Sequence, residues 1–399
     1  MVDLQAPPAV DRLQKGALAA GGVGLLLCAL GWFTNAGQFY KSWLFAFLFW
    51  IGLAIGCLSI TLIHNLTGGM WGLVIRRLLE AGARTLPWFA LLFVPVAIGL
   101  PHIYVWAQPE AVAKDALLQH KVPYLNAPFF LARAAFFFVV WFVLGHFQTK
   151  WAREVDEGRN YLKSSRKLRS LGGGGLLLMG LTITFSAVDW GMSLNPHWFS
   201  TVYGVLFMVG QALSAMAFII VCVALLGSVP PLSRVLGKEQ VHDLGKLMLA
   251  FVMLWAYISF TQFLIIWAGN LPEEVPFYIQ RLHGGWQYLA LALVIFHFAL
   301  PFAVLLSRDL KRNARTLALV AGLVLAVRVI DLYWLIGPDL AGHHGPLHGS
   351  GLHPHWLDLA ALLAIGGIWL FLFGREFSSR PVLPVGEPEI KELLEAHAS

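Results

Sequence analysis

The chain of 399 residues carries charge on only 13% of its residues, while 58% are hydrophobic. Because a soluble domain has roughly twice that share of charged residues, this composition excludes an ordinary soluble protein and predicts an integral membrane protein. The formal net charge of +6 then reflects membrane topology and contact with anionic lipids, and we expect no nucleic-acid partner.

Ten apolar stretches are each long enough for a membrane span, which takes roughly 20 residues. They lie near residues 16–34, 43–63, 86–106, 127–149, 172–190, 198–226, 246–268, 284–306, 315–336 and 356–374. Continuous apolar runs satisfy their backbone hydrogen bonds only as helices, so the sequence predicts an all-α polytopic membrane protein of about ten transmembrane helices. The first stretch follows Arg12 and Lys15 as in a signal peptide, but no convincing cleavage site follows it, and we expect a retained helix.

The loops predict the orientation of the chain. Most of the 28 lysines and arginines fall on the side of the spans that holds both termini, and such residues are retained in the cytoplasm. We therefore expect cytoplasmic N and C termini and a cytoplasmic tail over residues 375–399. Its last part reads as a short amphipathic helix, either a peripheral contact or a flexible tail.

The sequence offers no set of residues typical of a redox cofactor. Cys28, Cys57 and Cys222 fall in different spans, and neither a CxxCH motif nor a cysteine cluster occurs. We therefore expect no cofactor and no metal bound by this chain. A glycine-rich outer loop contains five histidines, but their irregular spacing favours a docking or solvated loop over a metal site. They are His343, His344, His348, His353 and His355.

Charged side chains inside predicted spans are costly in lipid, so a functional role is the first hypothesis for them. Five such groups gather in the outer half of the membrane, namely Arg133, Asp189, Arg328, Asp331 and His102. The arginines and aspartates could neutralise one another as structural ion pairs. Their common depth favours instead a proton path or the pocket of a small polar ligand, with Asp189 as its outer end and the others as electrostatic partners.

The inner half of the spans carries imidazoles and hydroxyls. The candidates are His64, His146 and His297, accompanied by Ser59, Thr61, Thr182 and Thr184. Such groups can pass protons through hydrogen-bonded water, although a single helix histidine is more often a core residue with a local partner.

The stretch "AVDWGMSLNPHWFS", residues 187–200, places polar groups where one apolar run ends and the next begins. A quinone pocket needs an apolar cleft and a polar residue that takes the quinol proton. Asp189, Trp190 and His197 could form the polar end of such a quinone-binding pocket.

Four long motifs resemble the ActF family of bacterial alternative complex III, a quinol:cytochrome c oxidoreductase. They are "HNLTGGMWGLVIRRLLEAG", "VDWGMSLNPHWFSTVYG", "FTQFLIIWAGNLPEE" and "RLHGGWQYLALALVIFHFALPF". The resemblance extends over nearly the whole chain. The sibling family ActC shares the Asp-Trp and Asn-Leu-Pro-Glu-Glu stretches but is usually longer, so the compact ends favour ActF.

The resemblance implies a fold similar to the NrfD or polysulfide-reductase membrane subunits. One membrane domain, residues 1–374, would hold two four-helix bundles over about 43–193 and 198–336, with peripheral helices at 16–34 and 356–374. It also implies a location in the bacterial inner membrane. The partners would be an ActC-like subunit, an iron-sulfur subunit, c-type cytochromes, small membrane subunits and lipids. Haem c and iron-sulfur clusters would lie in those partners, with menaquinol or ubiquinol as a possible substrate of the complex.

Three roles remain open within such a complex: a proton-conducting path, a quinone-side pocket and scaffolding. The subunit would have no redox activity alone, since productive quinol oxidation is expected beside an iron-sulfur cluster, which favours ActC. Outside that complex, a secondary transporter or a purely structural anchor is the alternative. Transporters show inverted repeats and helices broken at matched positions, whereas Pro95 has no counterpart in another half.

Overall fold

The computed structural model describes residues 4–341 and 351–396, and every regular element in this part of the chain is helical. Ten of its helices are long and apolar enough to cross a membrane. In chain order they are α1 (Pro8–Thr34), α2 (Ala36–Thr67), α3 (Arg76–Ile98), α4 (Ala127–Asp156), α5 (Tyr161–Leu194), α6 (Tyr203–Leu226), α7 (Lys238–Gly269), α8 (Trp286–Leu305), α9 (Ala314–Leu340) and α10 (Trp356–Ser378). The chain is thus an all-α multi-pass membrane protein, as predicted.

Helices α2 and α6 form the interior of the molecule. Their most apolar windows are 83% and 78% buried, which fits helices that are hydrophobic on every side. The two helices approach closely where Gly56 of α2 faces α6, since a Cβ on Gly56 would lie 2.2 Å from the carbonyl oxygen of Gln211. Helix α5 also packs against both.

Helices α1 and α10 pack antiparallel through small residues. A Cβ on Gly24 would lie 2.4 Å from the backbone nitrogen of Ala364, and Gly21 meets Gly367 in the same way; glycine allows this approach of two backbones. Both ends of the chain therefore lie together, and Val382 donates a backbone hydrogen bond of 2.9 Å to the Leu4 carbonyl. We call this side the terminal end and the opposite side the far end. Helix α10 also packs on α2 and α3.

The third span begins ten residues earlier than predicted, at Arg76 instead of near residue 86, and ends at Ile98. Arg76, Arg77 and Glu80 lie outside the predicted span, but their side chains are buried in the helix and neutralise one another. The helix consists of short segments with prolines at their starts, including Pro87 and Pro95, because proline cannot donate the backbone hydrogen bond of a helix interior.

Helix α8 changes its winding at its centre. Residues Leu293–Ala299 form a π-helical stretch, and Pro301 follows it. Because Pro301 has no N–H, it cannot donate to the carbonyl of His297 four residues earlier. A π-helical turn absorbs this interruption, and such turns are frequent at functional sites.

The tail packs against the terminal end as far as the structure describes it. Val382, Leu383 and Ile390 are buried, and a Cβ on Gly386 would lie 2.1 Å from the carbonyl oxygen of Val155. Its last helix, α11, spans Pro388–Ala396. Of the two possibilities for the tail, a packed contact is the one observed.

The histidine-rich loop is only partly within the described residues. His343, His344 and His348 lie outside them. The carbonyl of His353 accepts a 3.3 Å hydrogen bond from the Tyr333 hydroxyl, and His355 caps α10 by accepting from the backbone N–H of Leu357 at 3.2 Å.

Candidate functional site

Asp189 is fully buried at the far-end terminus of α5 and paired with Arg133 of α4. Nε of Arg133 donates to Oδ2 at 2.7 Å, and Nη2 donates to Oδ1 at 3.0 Å. The hydroxyl of Tyr124 also donates to Oδ1, at 2.9 Å. The guanidinium lies 3.9 Å from the centre of the Tyr124 ring. Two helices are joined by this bidentate pair, which is the strong form of a charge-assisted hydrogen bond.

The neighbours of this carboxylate are hydrogen-bond donors. Burial, followed by the charge of Asp189, raises the pKa of Tyr124, so that its hydroxyl keeps the proton that it donates. Both oxygens of Asp189 thus have donors. This geometry fits a structural ion pair between α4 and α5 better than the outer end of a proton path.

The residues proposed for a quinone pocket do not come together. Trp190 is buried among aromatic rings that include Phe47 and Trp141. His197 is instead 46% exposed in its side chain, and its Nε2 lies 2.7 Å from Oδ2 of Asp115 in the far-end loop. Asp189 and His197 therefore have separate partners, and the structure does not place them at one polar end.

A second ion pair, Arg328–Asp331, lies deeper in the molecule on α9. The spacing of three residues places both side chains on one face of the helix, and Nη1 of Arg328 contacts Oδ2 of Asp331. Helix α9 extends four residues past its predicted end, to Leu340, so Arg328 lies beside the helix midpoint and not near its outer end. Gly210 makes room for the guanidinium, because a Cβ there would lie 2.4 Å from it.

Trp255 of α7 connects this pair with His297. Its indole Nε1 donates to Oδ2 of Asp331 at 3.1 Å, and its ring stands perpendicular to the imidazole, with centroids 4.4 Å apart. His297 lies in the π-helical stretch and is fully buried. Neither imidazole nitrogen has a hydrogen-bond partner among the described residues. We call Trp255, His297, Arg328 and Asp331 the α7–α9 centre.

The unpartnered imidazole is the chemically distinctive feature of the α7–α9 centre. Nearly all buried polar groups in proteins have a partner, and leaving one without it costs about 1–3 kcal/mol. A neutral imidazole carries one N–H donor and one basic nitrogen, so it can both give and accept a proton. Both ring nitrogens of His297 lack a partner among the described residues. Trp255 connects the imidazole with the carboxylate of Asp331, which is also paired with Arg328.

A third buried ion pair, Arg281–Asp339, lies at the far end and was not predicted. Arg281 lies in the loop between α7 and α8, yet it is fully buried, and its Nη2 lies 2.5 Å from Oδ2 of Asp339. It also donates to the carbonyls of Phe277, Trp334 and Leu335. Oδ1 of Asp339 accepts from Asn195 at 3.2 Å. This pair ties the loop between α7 and α8 to α9, and Asn195 joins the loop after α5 to the same carboxylate. Apart from its charge, no sequence signal marks Arg281.

The other predicted histidines lie in three unrelated places. His102 is exposed at the far end and stacks on Tyr40, with ring centroids 5.2 Å apart. His146 is exposed on α4 and contacts only Phe142 and Phe147 through its ring. His64 is buried at the terminal end, where its Nε2 lies 3.1 Å from the carbonyl oxygen of Gly69. None of the three contacts the α7–α9 centre among the described residues.

The terminal end holds a buried charge network that the sequence analysis also missed. Arg77 donates to Glu80 at 2.6 Å and contacts Asp156 of α4. Arg76 donates to Glu80 at 3.1 Å and to Glu387 of the tail at 2.5 Å. The spacings of three and four residues between the arginines and Glu80 are the available sequence signal. The network joins α3, α4 and the tail.

A search against models of protein families and a search of curated proteins both find no match for this chain.

Proposed function

We propose that this chain is the ActF-type membrane subunit of a respiratory quinol:cytochrome c oxidoreductase, and that its part in the complex is to carry protons. The motif resemblance supports the complex, and the α7–α9 centre supports the role. In this proposal the chain lies in the bacterial inner membrane with its terminal end, rich in lysine and arginine, facing the cytoplasm. Electrons pass through partner subunits that hold haem c and iron-sulfur clusters, beside an ActC-like subunit.

The single observation that carries the proton role is the state of His297, buried with both nitrogens unpartnered among the described residues. If His297 served only packing, a phenylalanine would serve as well or better, because replacing an unsatisfied polar group by an apolar one of similar shape is neutral or stabilising. A polar group retained at such a cost in a membrane core marks a functional site by default.

The chemistry follows from the neighbours of the imidazole. His297 accepts a proton from a donor that reaches one nitrogen, and the carboxylate of Asp331 stabilises the imidazolium. Arg328 opposes that charge, so the proton is held only briefly and is passed on. Trp255 fixes the carboxylate and the ring relative to each other through its 3.1 Å hydrogen bond and its perpendicular contact.

A quinone site in this chain has less support. Both oxygens of Asp189 are occupied by Arg133 and Tyr124, and His197 pairs with Asp115. The Arg133–Asp189 and Arg281–Asp339 pairs are buried and connect separate segments of the chain, so we assign a scaffolding role to them. We assign proton transfer to the α7–α9 centre.

The first experiment tests the complex. The tagged chain is purified from native membranes in mild detergent, and the visible spectrum and the partner masses are recorded. We expect haem c bands, an iron-sulfur subunit and a paralogous membrane subunit. A colourless protein that purifies without partners would contradict the proposal. It would favour the secondary transporter, which a measurement of substrate flux in liposomes would test.

The second experiment tests the proton role in that purified complex. We expect His297→Phe to preserve assembly and thermal stability and to lower proton release per quinol oxidised in proteoliposomes by at least about tenfold, the scale of a lost acid–base group. The control is His146→Phe, another membrane-helix histidine, which is exposed and has ring contacts only. Equal proton release in the wild type and both variants would overturn the proton role while leaving membership of the complex intact.

A further inference from the structure

A cavity of about 260 Å³ opens at the terminal end between α2, α5 and the tail. Its polar lining comes from His64 and Arg76 on one side, Tyr161, Ser165 and Arg169 of α5 on another, and Glu387 and Glu389 of the tail. The cavity belongs neither to the α7–α9 centre nor to the far-end ion pairs. We call it the terminal pocket.

The charges of the terminal pocket are balanced but incompletely paired. Arg169 and Glu389 both line the pocket, yet neither forms an ion pair with any described residue. Arg76 at the base is buried, and its Nη2 has no hydrogen-bond partner in the described part of the chain. Arg169 and Glu389 are exposed at the pocket. A ligand with one negative and one positive group matches both charges of this lining, whereas an anion alone would lie beside the carboxylate of Glu389.

The depth of the pocket points to a lipid. Tyr161, Ser165 and Arg169 recur every four residues and therefore share one face of α5, just before the apolar part of that helix begins near Leu171. His64 lies at the end of the apolar part of α2. The pocket thus lies at the boundary between polar surface and hydrocarbon, where the headgroup of a phospholipid lies.

The same face of α5 continues into the membrane with room for an acyl chain. Gly173 follows Arg169 by four residues, and a Cβ there would meet only Leu66, at 3.9 Å. A Cβ on Gly174 would meet nothing within 4 Å. An open strip of helix surface therefore leads from the charged pocket towards the apolar core, which a soluble phosphate compound would not use.

We propose that the terminal pocket binds a phospholipid whose headgroup carries a phosphodiester and a primary amine. Arg169 and Ser165 would bind the phosphate, Glu389 would bind the ammonium group, and an acyl chain would lie along Gly173. The lipid would hold the packed tail against α2 and α5. This proposal needs the membrane topology alone and is independent of the proton role.

The test measures lipid binding to the purified, delipidated protein by native mass spectrometry. The probes are phosphatidylethanolamine, phosphatidylglycerol and phosphatidylcholine of equal chain length. Glycerophosphoethanolamine and inorganic phosphate are the soluble probes. We expect phosphatidylethanolamine to bind about tenfold more tightly than the other two lipids, since only its headgroup is a cation that also donates hydrogen bonds; the phosphatidylglycerol hydroxyls are neutral, and the choline group has no N–H. We expect both soluble probes to bind weakly.

Two variants and their controls make the assignment specific. We expect Arg169→Gln and Gly173→Leu each to lower the affinity for phosphatidylethanolamine about tenfold, through loss of a charge-assisted hydrogen bond or of chain space. The controls are Arg166→Gln and Gly180→Leu, two positions of α5 that do not line the terminal pocket; a Cβ on Gly180 would meet nothing within 4 Å. Equal affinity for phosphatidylglycerol, tight binding of inorganic phosphate, or equal losses in the control variants would each overturn the proposal.

Discussion

Trp255 of α7 donates its indole N–H to the carboxylate of Asp331 on α9 at 3.1 Å. The acceptor is the same Oδ2 atom that contacts Arg328. One carboxylate oxygen thus receives donors from two helices, while the ring of the donor tryptophan covers the imidazole of His297. The position of Asp331 is fixed by a residue that does not titrate, which gives Trp255 a positioning role in the proposed proton transfer.

The first prediction concerns this hydrogen bond. Trp255→Phe keeps a ring beside His297 but removes the donor to Asp331, so we expect a loss of about 1–3 kcal/mol in stability, the cost of leaving a buried acceptor short of a partner. We also expect a shift in the pH profile of proton release, because the carboxylate, then held by Arg328 alone, interacts differently with His297. Thermal unfolding and proton release in proteoliposomes measure the two effects.

The matched control is Trp267→Phe on the same helix, where the tryptophan is 68% exposed. It should change neither quantity. If Trp255→Phe lost stability but kept the wild-type pH profile of proton release, the role of Trp255 would be purely structural.

The second prediction separates a structural ion pair from a proton group at Asp189. Asp189→Asn and Arg133→Met each leave one partner of a buried pair alone, and we expect a loss of about 3–5 kcal/mol from such a change. The double variant Arg133→Met, Asp189→Leu removes both charges and should recover most of the stability, because apolar replacements of buried pairs are often neutral. Detergent stability and assembly of the complex are the measurements.

Proton release in the double variant decides between the two roles of Asp189. A structural pair predicts near wild-type release once assembly is restored. Restored assembly without proton release would return Asp189 to the proton path.

The features of this architecture that depend on local sequence patterns could be predicted, whereas those that depend on packing between distant segments could not. Apolar runs predict the ten spans because a membrane helix is a local pattern, and the spacing in α9 predicts the Arg328–Asp331 pair. The start of α3 at Arg76 is only partly visible in the sequence. The spacing of the two arginines from Glu80 is a local signal, but their other partners, Asp156 and Glu387, are distant in sequence.

The residues of the candidate site were likewise predictable where their own chemistry marks them, and not where packing decides their role. The histidines were found by their chemistry, but only the fold distinguishes buried His297 from exposed His102 and His146. Trp255 was missed because a tryptophan in an apolar helix gives no sign of its hydrogen bond to Asp331.

The third prediction concerns the attachment of the tail. Glu387 accepts from Arg76 at 2.5 Å and from the Tyr161 hydroxyl at 3.0 Å. Glu387→Gln removes the charge that neutralises a buried guanidinium. We expect this to destabilise the packed state of the tail, relative to a detached state, by about 3–5 kcal/mol. Limited proteolysis should then cleave the tail faster. Glu392→Gln changes an exposed carboxylate of the same helix and should leave the cleavage rate unchanged. Equal rates for all three proteins would mean that apolar contacts alone hold the tail.

The fourth prediction concerns acid sensitivity of the far-end loop. Asp115 caps the short helix Ala116–Lys121 by accepting from the backbone N–H groups of Leu117 and Leu118, and it also contacts His197. Desolvation raises the pKa of Asp115, but the hydrogen bonds from Leu118 and Leu117 and the contact with His197 outweigh it, so the pKa lies below its ordinary value of 3.8.

Because the folded-state pKa is depressed, the contribution of Asp115 to stability is present above pH 3.8 and is lost as the pH falls through the lower folded-state value. We expect the amides of Leu117 and Leu118 to lose protection from hydrogen exchange in that acid range, relative to the intrinsic exchange rate at each pH. Asp115→Asn keeps a side-chain acceptor for the helix cap but cannot titrate, so its protection should not show this acid step. An equal acid step in Asp115→Asn would assign the transition to another group, since the cap would then be independent of the Asp115 charge.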